Sequence, residues 1–593
     1  MKGRIVLVIE EYIIELTDQE LCGSGVQKIL SGTSHLVRAS NIARGAAFCI
    51  YAARLAEAIG AVTDFVSIIP GRGRLTHQLL AVALPQIFYG PNGVDLIKGR
   101  LPYSTIESYV NNTYKDLVEA GIVNKEAIEE FEDKLVNESI TYATKMIYSL
   151  SRVMPIFISR IGLNEGSLRL FTELFMYSYR FHVVGIIDAV IEDPISRKAL
   201  VIEWKTGKTP ENWEIAQAYT YALMEAERLG HEDPVGAVRD REDVVPIVIR
   251  PTGKITVYSI ADTFRTADKT IDKYELIRNI LLSAEHLVLT ITEYTDYIDK
   301  NTAKICSIRG LHGQKISAFR RAPKDLPRSN PVKYGNKYPC RICRYKEACK
   351  FYMKTYEDWT LLDRIAYRAR HAIYKIRENA QKPIKELYNL YTANNYNIER
   401  LIEAIIRLEN TLGESGNRID YFEKASLSEP YEIILERKVR EYEKSTEPIK
   451  LKTLREGKPV LIIFNDPYVN NPLLRLSFHG RVEEIEIEPS RKGDKVYVHV
   501  AAPNIPSRLQ LEILRRTTFR NREYLEKIIG VEINVDLTQL ELQAIDAFHR
   551  GSRKVAELNI LAKTAEKIRK KYRDAMFSVL FIEGLLKGEN KTW

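Results

Sequence analysis

Along the first 32 residues apolar and acidic positions alternate, as in IVLVIEEYIIEL, before the chain turns polar at GSG and SGTS. From about residue 36 to 90 apolar residues recur at three- and four-residue spacing, the helical period, with a break at PGRGR. The same spacing continues through 103–178, which reads as several charged helices. The texture then changes. FHVVGIIDAVIED and KALVIEW are β-branched runs flanking DPISR, a pattern that predicts a strand–turn–strand hairpin. ENWEIAQAYTYALMEAERLG follows as an amphipathic helix, its start marked by Thr209-Pro210. DVVPIVIRP and GKITVYSI predict two further strands, and 262–300 predicts a return to helix. Residues 308–354 are loop-rich, and 356–411 are helical and strongly charged. From about 447, KPVLIIFN, LLRLSFHGRVEEIEIEP and KVYVHVAAP have the strand spacing of a small β-barrel. Residues 507–528 and 536–588 read as helices with basic surfaces.

The hairpin carries the first chemistry. A turn centred on Ile195-Ser196 places Asp188 across from Glu203, and paired strands hold such side chains about 5 Å apart. Two carboxylates that close repel unless a cation sits between them. Lys205 lies two residues beyond Glu203 and so shares its face of the strand. Hard oxygen ligands and a lysine on one face suit Mg²⁺ or Mn²⁺ and a water attacking a phosphodiester, the lysine orienting that water or offsetting developing charge. A surface cluster in which Lys205 merely pairs with Glu203 is the plainer alternative. The apolar flanks GIID and VIEW instead put the charges at the end of a buried hairpin. Gln217 and Tyr221, at i and i+4, share one face of the helix that follows.

Composition narrows the classes. The 593 residues are 45% hydrophobic and 28% charged, enough for several packed domains and against wholesale disorder. A net charge of +9 admits an acidic partner such as DNA without demanding one. No run approaches a membrane span, and the acidic N-terminal stretch is unlike a signal peptide. Six cysteines in this length do not make a disulfide scaffold; their clustering points to metal in a reducing cytoplasm. Cys340-x2-Cys343-x5-Cys349 supplies three ligands, and a fourth has to come from Cys22, Cys49 or Cys306. By spacing alone the set fits zinc, an iron–sulfur cluster or nothing. Around it, Arg309 to Lys354 holds 13 basic and 2 acidic residues interleaved with Tyr334, Tyr338, Tyr345 and Tyr352. Basic groups neutralise phosphates and rings stack on unpaired bases, so this segment is a candidate strand channel. RRTTFRNREY at 515–524 is a second basic patch.

Together Asp188, Glu203-x-Lys205 and Gln217-x3-Tyr221, with the string EWKTG, resemble the RecB-type branch of the PD-(D/E)XK nucleases. Ile187 stands where the family name has proline. The resemblance implies an α/β restriction-endonuclease-like core with helical insertions. It implies that His77, in GRGRLTHQLLAVAL, binds metal with Asp188, Glu203 and the Trp204 carbonyl. Lys205 would be catalytic, and Gln217 and Tyr221 would brace the site. It also reorders the cysteine readings. A subset of these nucleases carries a [4Fe-4S] cluster on one upstream cysteine and three downstream in this spacing, which implies Cys49, Cys340, Cys343 and Cys349 as ligands, with zinc the alternative. The long helical interval from Cys49 to Asp188 is most like the nuclease portion of the eukaryotic replication and repair helicase–nuclease; the compact CRISPR-associated iron–sulfur exonuclease is related.

LTQLELQAIDAFHRG resembles the opening of a superfamily 1 helicase domain, yet Gly207-Lys208-Thr209 belongs to the nuclease motif and makes no ATP-binding loop. The implied organisation is an N-terminal segment (1–35), a nuclease domain with its cluster (36–355), a helical connector (356–446), a small β-barrel (447–506) and C-terminal helices (507–593). The implied activity is metal-dependent hydrolysis of single-stranded, flapped or end DNA in repair or replication, with a separate helicase in trans. Trimming of CRISPR spacer precursors and a non-catalytic DNA-binding scaffold are the alternatives.

Overall fold

In the computed structural model the described residues are 5–9, 12–16, 34–53, 56–57, 72–123, 133–207, 211–256, 263–265, 270–291, 325–329, 340–341, 343, 381–411, 419–428, 430–438, 454–489, 494–517 and 522–533. Strands β1 (Ile5–Ile9) and β2 (Tyr12–Leu16) form a separate antiparallel pair. The expectations for Cys22, Cys306, Cys349, the four channel tyrosines and residues 536–588 lie outside the described residues.

The sheet that positions the site is built on the expected hairpin, β5 (Val183–Asp193) and β6 (Lys198–Trp204). Its register runs from Asp193↔Lys198 to Ala189↔Ile202, which is the register of a turn centred on Ile195-Ser196. Parallel to β6 lies β7 (Val244–Ile249), and β8 (Ile255–Thr256) follows antiparallel. The crossover between β6 and β7 contains helix α5 (Glu211–Arg228), as parallel neighbours require. Beyond the end of β6, on the same edge of β5, β3 (Val37–Arg38) pairs parallel with the start of β5. A strand also runs along β5 where the sequence pattern predicted helix: β4 (Arg169–Ser178) pairs antiparallel with β5 over its whole length. Its misreading has a physical cause. Leu170 and Phe171 are buried in different clusters on the two faces of the sheet, so the strand shows none of the alternation of a half-exposed one.

Helices cover both faces. Ala199 and Val201 pack with Ile215 and Ala222 of α5, Ile42 and Ala46 of α1 (Ala39–Ala47), and Leu276 of α6 (Lys273–Ile291). Strands β9 (Thr263–Arg265) and β10 (Thr270–Asp272) precede α6, in a region the sequence read as helix throughout. On the opposite face Leu200, Ile202 and Trp204 pack with Leu79, Leu80 and Val82 of α2 (Arg72–Phe88) and with Met146 and Leu150 of α4 (Asp133–Ile161), beside α3 (Tyr103–Glu119). Most of α2 is apolar and buried all round, so its few polar positions are placed by the fold rather than by solvent.

A closed six-stranded barrel follows, formed by β11 (Ile419–Ser428), β12 (Glu432–Lys438), β13 (Pro459–Ile463), β14 (Ser477–Glu488), β15 (Lys495–Ala501) and β16 (Glu526–Glu532). Its strand order is β11-β12-β15-β14-β13-β16, with β16 closing onto β11. The expected span 447–506 holds three of these strands. The other three come from segments read as connector and C-terminal helix, and β16 is held by pairing with β11 and β13, far away in sequence. Helices α7 (381–393) and α8 (Ile398–Thr411), in the expected connector, pack on the barrel: Ile384, Leu387, Leu401 and Ile405 lie with Ile419, Leu461 and Val531 of the barrel and with Tyr177 of β4. Helix α9 (Ile505–Thr517) docks on α2, and its Ile513 joins the α2–α4 core.

Candidate active site

The pairing of β5 and β6 ends at Ala189↔Ile202, and β3 pairs with β5 only at Val183 and Val184. Between these ladders the edge of β5 from Gly185 to Asp188 is left open among the described strands, and the candidate side chains gather there. Asp188 is the next residue past the end of the hairpin ladder. The Trp204 backbone N–H donates to Asp188 Oδ2 at 2.8 Å, and His77 Nδ1 on α2 lies 3.3 Å from Asp188 Oδ1. The hairpin register and the burial of α2 thus bring together two residues 111 positions apart in the chain.

A third group was missed from sequence. Glu173 of β4 lies between the pairs Thr172↔Ala189 and Leu174↔Ile187, opposite Asp188. Ligand atoms of His77, Glu173 and Asp188 lie within 4.8 Å of one another. Glu173 has φ of 48°, a left-handed conformation that a non-glycine residue adopts at an energetic cost. The signal was present in FTELFMYSYRFHVVGIID: a hairpin turn at Tyr179–His182 aligns Glu173 with Asp188 by the same symmetry that aligned Asp188 with Glu203. Reading 103–178 as helix hid it.

Glu203 stands beside this triad rather than in it. Its Oε1 accepts from Lys205 Nζ, while its Oε2 is buried with no hydrogen-bond partner. A buried orphan oxygen is costly unless a cation or water meets it. Lys205 Nζ also donates to Gln217 Oε1 at 3.4 Å, and Gln217 Nε2 donates to Tyr221 OH at 3.2 Å. The i, i+4 face of α5 thus reaches the lysine. Glu214, one turn earlier on α5, pairs with Arg250 just past β7. Tyr221 fits because residue 185 is glycine: a Cβ there would lie 2.6 Å from Tyr221 Cε1.

The electrostatics follow from three carboxylates sharing a buried space. Glu173 is pushed up to about 8, first by burial and then by the charge of Asp188. Glu203 is likewise pushed up to about 8 by burial and Asp188, against the pull of Lys205. Asp188 is the ionised member. Burial works against its charge, but His77, Lys205 and the Trp204 N–H outweigh it and hold the carboxyl below its usual range. Burial also opposes charge on His77 and Lys205, and the neighbouring carboxylates overcome it, raising both. Carboxylate oxygens and an imidazole nitrogen, two of the carboxylates tending to hold protons in the absence of metal, fit a hard divalent cation.

The cysteines form a second group. Cys49, just past α1, is buried, and so is Cys340; Cys343 is half-buried. Burial pushes the Cys49 thiol up to about 11; backbone N–H groups of Ala52 and Ser329 pull it down and the charge of Cys343 adds to the rise. Ser329 Oγ lies 3.0 Å from Cys340 Sγ, and the Ile50 N–H donates to Pro327 O at 2.9 Å. The upstream cysteine and two of the downstream ones are therefore neighbours.

No helix among the described residues is long and apolar enough to cross a membrane. No curated protein matches the chain. A family model described as the PD-(D/E)XK nuclease superfamily matches residues 46–350, just over half of the chain and the span that contains every site residue named above.

Proposed function

The chain belongs to the PD-(D/E)XK nuclease superfamily, whose members are metal-dependent nucleases, and from that premise we propose that it is a RecB-type DNA nuclease acting on single strands, flaps or ends. The observation that carries this is the convergence of His77, Glu173 and Asp188 beside the Lys205–Glu203 pair. Mg²⁺ or Mn²⁺ held there would polarise a phosphodiester oxygen and acidify an attacking water. Asp188 supplies the ionised ligand, held in place by the Trp204 N–H and His77. Glu173 and the orphan Oε2 of Glu203 supply oxygens once their protons leave, and the Trp204 carbonyl is the expected backbone ligand. Lys205 stays an ammonium. With one N–H on Glu203 and another on Gln217, its third can hold the water or offset charge developing on the phosphate. Gln217 and Tyr221 fix the lysine in that position.

Cys49, Cys340 and Cys343, with Cys349, would hold a [4Fe-4S] cluster, zinc being the alternative. The reading is supported by the electrostatic contact of Cys49 with Cys343, by Ser329, which touches both Cys49 and Cys340, and by backbone N–H groups directed at Cys49, the kind of donor that steadies a thiolate ligand. A cluster there would tie the region of α1 to the segment after α6. The place of such an enzyme is DNA repair or replication beside a helicase supplied in trans, with the C-terminal half as its docking region.

The test is digestion of end-labelled, flapped DNA with Mg²⁺ or Mn²⁺ by protein purified without oxygen. Asp188→Ala and Lys205→Ala each abolish cutting and leave DNA binding intact. Unchanged cleavage by either variant would sink the assignment.

A further inference from the structure

Beyond the metal centre, the β4–β5 ribbon continues with Phe175, the register partner of Ile186, and then Tyr177, the partner of Val184. Phe175 and Ile186 are each two residues from a carboxylate of the centre, about 7 Å along a strand. Tyr177 is packed under α7 and the barrel, and Val184 and the half-buried Phe175 lie against the same core. Ile186 is not covered: it is 41% exposed, a large apolar side chain open to solvent beside a cluster of charges. The Phe175 ring meets the rings of Tyr177 at 4.7 Å and His479 of β14 at 4.8 Å, both edge-on. Tyr177 OH and His479 Nε2 are 3.2 Å apart, and the His479 N–H donates to Gln510 of α9 at 3.2 Å. Since α9 also packs on α2, the barrel holds an aromatic wall against the floor that leads to the metal site.

Resting on the nuclease reading, we propose that Ile186 and Phe175, walled by His479, form a shelf for one unpaired nucleobase next to the scissile phosphate. The shelf is continuous with the metal centre, so the chain that places a phosphate there must run over it or away from it. Ile186 and Phe175 carry no charge, which suits the face of a base and not a phosphate. A base inside a duplex already has both faces stacked, so only an unpaired strand can use the shelf. The site therefore selects single strands through apolar contact, and the barrel contributes part of it.

The experiment uses the full chain and a short single strand in which one abasic site is moved a nucleotide at a time, binding being read by fluorescence anisotropy in Ca²⁺. The wild-type protein loses about 5- to 10-fold in affinity when the missing base falls at one or two positions, the lower end of base stacking. Ile186→Ser, at an exposed position, removes that position dependence, and Phe175→Ala does the same in protein whose thermal unfolding remains cooperative. A profile that is equally position-dependent in wild type and Ile186→Ser, or flat in both, overturns the shelf. Cleavage of the same strands in Mn²⁺ is scored separately: its absence in the wild-type protein overturns the nuclease reading without touching the binding result.

Discussion

At the scale of single residues the site is a competition among three carboxylates for too few protons and cations. Glu173 and Glu203, both pushed up to about 8, hold protons at neutral pH unless a cation replaces them. Metal binding must then release protons, so affinity for Mn²⁺ rises as pH climbs from about 6 to 8 and levels off above. Calorimetric titration in buffers of different ionisation enthalpy measures the protons released; a count that does not fall in Glu173→Gln would remove Glu173 from the centre. The same shifts set stability in the absence of metal. Between the ordinary glutamate value of 4.5 and about 8 the folded protein binds more protons than the unfolded chain. The contribution of these residues is complete below that window and is lost as pH rises through it. Metal-free protein should melt at lower temperature at pH 8 than at pH 6, and added Mn²⁺ should reverse the trend.

At the scale of elements, the candidate side chains gather where the edge of β5 is open between β3 and β6. Gly185 lies in that gap and lets Tyr221 approach. Gly185→Ala pushes the ring away, and with it Gln217 and Lys205. A misplacement of this kind costs on the order of 10- to 100-fold in kcat, while metal binding at the proposed ligands His77, Glu173 and Asp188 is affected less, since Tyr221 is hydrogen-bonded to Gln217 and not to them. Single-turnover cleavage beside metal titration separates the two. The cluster proposed to join the region of α1 to the segment after α6 is tested at the same scale. Cys49→Ala should eliminate the visible absorbance of a bound cluster and lower the melting temperature; a variant with unchanged colour would exclude Cys49 as a ligand.

At the scale of the whole molecule, the barrel and the nuclease sheet are joined by buried charge. Arg228 of α5, with no exposed side-chain surface, pairs with Glu192 of β5, Glu225 and, at 3.3 Å, Asp466 after β13. Arg169 of β4 bridges Glu192 and Asp466 as well and donates to Tyr524 OH at 2.7 Å. Removing Arg228 leaves Glu225 without its buried cation, and Glu192 and Asp466 with Arg169 alone, so Arg228→Ala costs about 3–5 kcal/mol. Denaturant unfolding measures it, and a loss under about 1 kcal/mol would mean that the network is solvated rather than buried. The network ties β4, β5 and α5 to the segments after β13 and before β16, and so holds the barrel beside the strands of the candidate site.

Much of the site was legible because its parts are local. Asp188, Glu203 and Lys205 share one hairpin whose symmetric turn fixes their register, and Gln217 and Tyr221 share one helical face; both are short-range consequences of strand and helix periodicity. Glu173 was not legible, because β4 is buried on both faces and lacks alternation. The strands outside the expected span escaped for a related reason: β11 and β12 form a local hairpin inside a stretch read as connector, but β16 pairs only with β11 and β13, far away in sequence, and no local window contains that closure. The sequence by itself determined the hairpin, its charges and the helix beside it. Only the tertiary structure decided that a left-handed Glu173 joins His77 and Asp188, and that a barrel stands against the strands that carry them. Convergence of this kind comes from packing two layers of helices and a barrel on one sheet, and burial energy is a property of the assembled whole rather than of any segment.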